Sequence, residues 1–170
     1  MAAVHIYMSR ANLYQMPKTY DPAIGTEIIN SYGARPELLV QILHAFIDRY
    51  SYLHEAALRQ IADELNISRA DLHGVVSFYH DFRTVPPGRS IVKICQAEAC
   101  QSMGSRELTA HAEKKLGVSL NNTTPDGEVT LEPVYCLGNC ACSPAVMIDN
   151  DVYGRVDTER FDQLLTGRGH

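Results

Sequence analysis

The 170-residue chain has no apolar run near the roughly 20 residues that a membrane span requires, so direct membrane contact is not expected. It is also short of positive charge. Against 20 Asp and Glu stand 15 Lys and Arg, a net −5, which gives no general attraction to nucleic acid or anionic lipid. No charged-then-apolar leader with a small-residue cleavage site opens the chain, and a soluble, cytoplasmic protein is the expectation. Nowhere are two thiols separated by two residues, the usual spacing of a dithiol redox centre and of a tight zinc knuckle. Also missing are a nucleophile with its base, a carboxylate pair, and a glycine-rich phosphate loop in strand–helix context. No substrate site is expected in this chain alone.

What the chain does have is five cysteines, an odd count that argues against a disulfide framework. Cys95 and Cys100 are separated by four residues and Cys136 and Cys140 by three, each pair inside a short loop. Four thiolates can therefore converge on one centre. Such a donor set suits both zinc and an iron–sulfur cluster, and the wide spacings favour the cluster. They differ from ferredoxin runs whose cysteines crowd into one loop. Gly138 and Asn139 are the residue types that most easily take positive φ, so the second loop is expected to fold back and aim N–H groups at anionic sulfur. None of the seven histidines falls in either loop, which disfavours a centre with two histidine ligands.

Around these loops the chain reads as α+β, an N-terminal helical bundle followed by an α/β domain. Residues 1–34 carry scattered tyrosines and form an N-terminal arm, with a short helix near 22–31. From Pro36, Leu39, Ile42, Leu43, Phe46, Ile47 and Tyr50 recur at helical steps. A second helix spans 54–65, Asn66-Ile67-Ser68 turns, and Ser68 with Asp71 resembles a capping box opening a third helix to about Tyr79. His73 and His80, seven apart, would share a face of it. The helical domain covers 35–87, closed by Val85-Pro86-Pro87-Gly88. In 88–170 the pattern predicts a strand over 90–95, a helix over 102–116 with its positive end towards the cluster, an edge strand at 117–120, a strand over 128–135, a hairpin of 145–149 with 152–156, and a last helix capped by Asp157.

The second and third helices have the spacing of a DNA-reading helix-turn-helix, but not its chemistry. A recognition helix presents basic and amide side chains at its exposed start, and here Arg69 is offset by Asp71. The apolar residues Val75, Val76, Phe78, Tyr79 and Phe82 fit core packing or a subunit contact instead.

The segments His73–Arg83, Gln96–Ser102 and Val134–Cys142, with Cys95-x4-Cys100 and Cys136-x3-Cys140, resemble the thioredoxin-like [2Fe–2S] ferredoxin family of respiratory complex I and its relatives. Within it, they are most similar to the gamma subunit of soluble NAD-dependent, molybdenum-containing formate dehydrogenases. The resemblance covers about residues 35–166. It implies that 88–170 is a thioredoxin-like domain and that Cys95, Cys100, Cys136 and Cys140 hold one [2Fe–2S] cluster, leaving Cys142 as a small packed side chain. It implies an oxidoreductase subunit that transfers electrons, with FMN and the molybdenum cofactor in partner chains. Those partners would be a flavin- and NAD-binding subunit and a molybdenum-containing catalytic subunit. The equivalent subunit of a NAD-linked hydrogenase or of complex I is the alternative, and a zinc-stabilised interaction module lies behind both.

Overall fold

A computed structural model of the chain describes residues 19–167. The chain divides into two compact units between Pro86 and Pro87. The first is all helical: α1 (Pro22–Ser31), a 3-10 turn (Pro36–Leu38), α2 (Leu39–Tyr50), α3 (Glu55–Glu64) and α4 (Arg69–Phe78). Asp21 caps α1 by accepting the Ala23 N–H at 2.9 Å, with Pro22 in the first turn, where its missing N–H costs nothing. Ile29 of α1 is buried with Ile42, Leu43, Phe46, Ile61 and Phe82 in one core. The thirty-four-residue arm read from the sequence is thus in part bundle, because α1 has an apolar face to bury; the rest of the arm, residues 1–18, lies outside the described residues. Gln60 of α3 donates to Thr26 of α1 at 2.8 Å, and Thr26 donates to Glu64 at 2.8 Å, which ties α1 to α3 along a polar seam.

Ser68 caps α4 by accepting the Asp71 N–H at 3.0 Å and donates its hydroxyl to the Asp71 carboxylate at 2.7 Å, so the carboxylate meets the serine hydroxyl where a full capping box would bond the serine N–H. The exposed face of α4 presents Arg69, Asp71, His73, Ser77 and Phe78, with no basic stripe. Here the histidine expectation is corrected. Helix α4 stops at Phe78 and Tyr79 is extended, so His80 does not share a helical face with His73. Val76 and Phe82 enter the core, whereas Phe78 is 73% exposed. At Gly74 a side-chain carbon would meet no atom within 4 Å. Gly74→Ala should therefore stabilise the bundle by up to about 1 kcal/mol, the helix-propensity difference, read as a higher denaturant midpoint with unchanged slope.

The second unit is a five-stranded sheet of order β2-β3-β1-β4-β5 with helices. Its elements are β1 (Ser90–Cys95), α5 (Glu98–Ser102), α6 (Ser105–Leu116), β2 (Asn122–Thr123), β3 (Val129–Val134), a 3-10 turn (Cys140–Cys142), β4 (Val146–Ile148), β5 (Asp151–Tyr153) and α7 (Thr158–Thr166). Central β1 runs parallel to β3 and antiparallel to β4. Its Ile91, Val92, Ile94 and Cys95 are all buried, which is why it reads as a nearly continuous apolar run. Leu108, Leu131, Val146, Ile148 and Phe161 fill the core. Asp157 caps α7 by accepting the Arg160 N–H at 2.8 Å.

Three expected boundaries move. The helix expected over 102–116 starts three residues later, as α6 at Ser105, because Gly104 at φ +95 turns the chain and separates it from the short α5 that ends at Ser102. The edge strand is Asn122–Thr123 rather than 117–120, since Gly117 at φ +68 ends α6 and the chain must turn before it can pair with β3. Strand β5 ends at Tyr153, because Gly154 and Arg155, the latter at φ +53, leave the ladder. Among the described residues no helix is long and apolar enough to cross a membrane.

Candidate metal centre

Parallel pairing brings the two cysteine loops together. Cys95 ends β1 in register with Val134, the last residue of β3, so Cys136 follows two residues beyond the same sheet end. The first loop is held by a hydrogen-bonded frame. Cys95 donates its N–H to Ala145 at 3.0 Å, and Gln96 donates its N–H to Val134 at 2.7 Å. The buried Ser105 hydroxyl donates to the Cys95 carbonyl, and Thr109 donates to the Ser105 carbonyl at 2.7 Å. Gln101 reaches back to the Gln96 carbonyl at 2.7 Å, while the Gln96 amide donates to Thr109 at 2.8 Å.

Cys95 and Cys100 are each 1% exposed, whereas Cys136 and Cys140 are exposed. The site therefore has a buried wall and an open one. Burial pushes the Cys95 thiol up, but N–H groups of Ala97, Cys136 and Leu137 together with the Cys100 thiol outweigh it and hold Cys95 below its ordinary value. Cys140 is pushed up, first by its hydrogen bond to Cys136 and the negative charge of Cys136, then by burial and by Cys100 and Cys95. Cys136, Cys100 and Cys95 thus all bear on the Cys140 thiol.

The Cys136 and Cys140 sulfurs stand 3.7 Å apart. Two thiolates on one tetrahedral metal at about 2.3 Å stand roughly 3.8 Å apart, so this pair is set for a shared metal. Gly138 aims its N–H at the Cys136 sulfur from 3.4 Å. The expectation of positive φ is met at Gly138 (φ +73) but not at Asn139 (φ −108). Cys136 itself takes φ +99, a strained position for a non-glycine residue, and is where the chain turns from β3 into the loop. Among the described residues no three His, Cys, Asp or Glu side chains group around a single metal position; the cysteines group two and two. Four thiols in two pairs, with backbone N–H groups directed at Cys95 and Cys136, fit a binuclear iron–sulfur cluster, whose thiolates and bridging sulfides are anionic.

Residues not singled out in the sequence complete the second loop. The Arg155 N–H donates to the Cys142 carbonyl at 2.6 Å and the Val156 N–H to Pro144 at 3.0 Å. A side-chain carbon at Gly154 would lie 2.6 Å from both Asn139 Nδ2 and Cys142 Cβ, and 2.8 Å from the Cys142 carbonyl. A glycine in the middle of the 152–156 strand pattern is the one signal that could have pointed to this close approach. Ser143, 8% exposed, donates to the Cys140 carbonyl at 2.8 Å and faces the Cys100 sulfur at 3.5 Å. A cleft of about 370 Å³ lined by Met103, Cys140, Ser143, Pro144 and Arg155 opens beside them.

Known proteins resemble the chain over most of its length. It is 32% identical over 163 residues to a NADH-quinone oxidoreductase subunit of Pseudomonas aeruginosa, covering 93% of this chain and 98% of that one. The Escherichia coli counterpart is 37% identical over 114 residues, covering 67% of this chain and 69% of its own. The HndA subunit of the NADP-reducing hydrogenase of Solidesulfovibrio fructosivorans is 30% identical over 139 residues, covering 82% and 81%. Among solved structures, the air-oxidized NAD+-reducing [NiFe]-hydrogenase superposes with TM-score 0.65 at 23% identity over 75% of this chain, which spans 22% of that hydrogenase chain; the likeness is one of fold. The family profile described as thioredoxin-like [2Fe–2S] ferredoxin matches residues 25–168, starting within α1 and reaching through both units. With a match of that extent over paired thiols built for an anionic two-iron centre, the chain belongs to the thioredoxin-like [2Fe–2S] ferredoxin family, and its cofactor is a [2Fe–2S] cluster.

Proposed function

We propose that this chain is the electron-transfer subunit of a multisubunit NAD-dependent formate dehydrogenase, holding its cluster on Cys95, Cys100, Cys136 and Cys140. When bound, the cluster supplies one-electron transfer between two oxidation states. Cys95 and Cys100 anchor it against the sheet, where the N–H groups of Ala97, Cys136 and Leu137 neutralise charge on the Cys95 sulfur. Cys136 and Cys140 present it to solvent, on the side a redox partner reaches. That contrast between a buried pair and an exposed pair is the observation that carries the reading. A relay must shield its cluster and still expose an edge of it.

In this reading the cytoplasmic holoenzyme oxidises formate at a molybdenum centre in one partner and reduces NAD+ at FMN in another, with this chain beside the flavin subunit. Residues 88–170 form the cluster domain, 35–87 the helical domain, and 1–34 an arm whose second half joins the helices. The formate assignment rests on the His73–Arg83, Gln96–Ser102 and Val134–Cys142 segments. The relatives named above favour a second reading, the equivalent subunit of an NADH-quinone oxidoreductase or a nicotinamide-linked hydrogenase.

Anaerobic affinity purification of the full chain from its native host separates them. A red-brown complex containing molybdenum, FMN, and two irons and two sulfides on this chain supports the first reading. Co-purification with quinone-reducing or nickel-containing chains supports the second. The chain freed of its partners should oxidise neither formate nor NADH. A colourless chain holding stoichiometric zinc and no sulfide would overturn both.

A further inference from the structure

The geometry points to Ser143 as a positioning residue that joins the two halves of the ligand set and raises the cluster's reduction potential through a hydrogen bond to the Cys100 sulfur. The inference rests on the proposed ligation by Cys100 and Cys140 and adds to it. Ser143 is 8% exposed, follows the 3-10 turn that carries Cys140, and has one hydroxyl hydrogen with two acceptors in reach. One is the Cys140 carbonyl at 2.8 Å; the other is the Cys100 sulfur at 3.5 Å.

With Cys100 as a thiol, its S–H donates to the Ser143 oxygen while the hydroxyl serves the Cys140 carbonyl. Ligation to iron removes the thiol proton. Sulfur then has nothing to donate and becomes an acceptor with partial negative charge, so the contact persists only if the Ser143 hydroxyl turns towards it or is shared between the two acceptors. A single side chain then spans a ligand of the buried pair and the backbone of a ligand of the exposed pair. One-electron reduction of a bound cluster would take one iron from the ferric to the ferrous state and raise the negative charge felt at its sulfurs, with no bond made or broken. An O–H donor directed at one of those sulfurs stabilises the reduced state more than the oxidised state, and does so strongly in a buried setting.

The test is a potentiometric titration of the full chain with dithionite, followed by the reduced-state EPR signal, in wild type, Ser143→Ala, Ser143→Thr and Ser143→Val. Thr and Val are near-isosteric and differ by hydroxyl against methyl, and the extended backbone at Ser143 (φ −67, ψ 150) accepts branching at Cβ. Ser143→Ala and Ser143→Val should show a three- to tenfold lower ratio of reduced to oxidised cluster at fixed potential, about 30 to 60 mV for a one-electron couple. Ser143→Thr should titrate with wild type. Equal potentials in Thr and Val, or loss of the cluster in Thr as well as Ala, would overturn the role of the hydroxyl; a cluster kept by Thr and lost by Val would support it. Ser143 variants that keep two irons and the wild-type potential refute this inference alone, whereas a Cys100→Ser chain with an unaltered spectrum refutes the ligand set.

Discussion

Serine at Cys95, Cys100, Cys136 or Cys140 is expected to abolish the cluster or visibly alter its spectrum, while Cys142→Ser keeps iron content and the reduced-state EPR signal near wild type. Four thiolates satisfy two tetrahedral irons that share two sulfides, so one of five cysteines is spare. The 3.7 Å separation of the Cys136 and Cys140 sulfurs suits one iron, and the burial of Cys95 and Cys100 makes their loss hard to compensate from solvent. Cys142 instead packs its Cβ against Gly154, and its carbonyl accepts the Arg155 N–H. Serine fits there with little change of volume. A serine oxygen can replace thiolate on iron, so a shifted spectrum at one of the four still reports ligation. The reverse pattern, cluster lost in Cys142→Ser with an unchanged spectrum in Cys140→Ser, would mean that the turn at 140–142 offers a different sulfur.

Gly154→Ala is expected to have the next largest effect, although the residue holds no ligand. Its backbone runs so close to the second loop that an added carbon would meet Cys142 Cβ at 2.6 Å and the Cys142 carbonyl at 2.8 Å, inside any van der Waals contact. Neither side can simply retreat. The loop is tied to the strand end by Arg155 N–H to Cys142 and Val156 N–H to Pro144, and Val156 is fully buried. Overpacking of this kind typically costs about 1–3 kcal/mol, and a domain of this size loses roughly 4–8 °C of melting temperature per kcal/mol. The displacement is transmitted to Cys140, two residues from the collision. The variant should therefore lose iron to a chelator at least tenfold faster than wild type, while Gly74→Ala, made where space is open, does not. A Gly154→Ala chain that melts and holds iron as wild type does would show that the strand end and the loop have room to part.

The placement of the cysteine loops at strand ends was legible because covalent spacing is local information. Cys95-x4-Cys100 and Cys136-x3-Cys140, each after a β-branched or aromatic run, already implied thiols at strand ends, and the parallel register of Cys95 with Val134 realises that. Helix faces were legible for the same reason, as at Ile42, Phe46 and Ile61. The supports were not. Ser105 reaches Cys95 across ten residues, and Ser143 reaches Cys100 across 43. Such contacts follow from chain crossing, on which local pattern is silent. Boundaries failed where glycine decided them: Gly104 moves the start of the helix expected from Ser102 to Ser105, and Gly154 ends a strand whose flanking valines suggest that it goes on. The strained φ at Cys136 was invisible because cysteine has no preference for it; the fold imposes it.

The meeting of both loops at one sheet end also bears on chain entropy. A centre gripping Cys95 and Cys136 together closes a circuit of about 40 residues, through α5, α6, β2 and β3. A cross-link of that span removes about 4 kcal/mol worth of disorder from the unfolded chain. That is a large share of what holds a small domain folded. The cofactor is in this sense a fastener for the second unit, whereas the helical core of Ile29, Phe46 and Phe82 lies outside the circuit and gains nothing from it. Losing iron then means losing that restraint on the second unit.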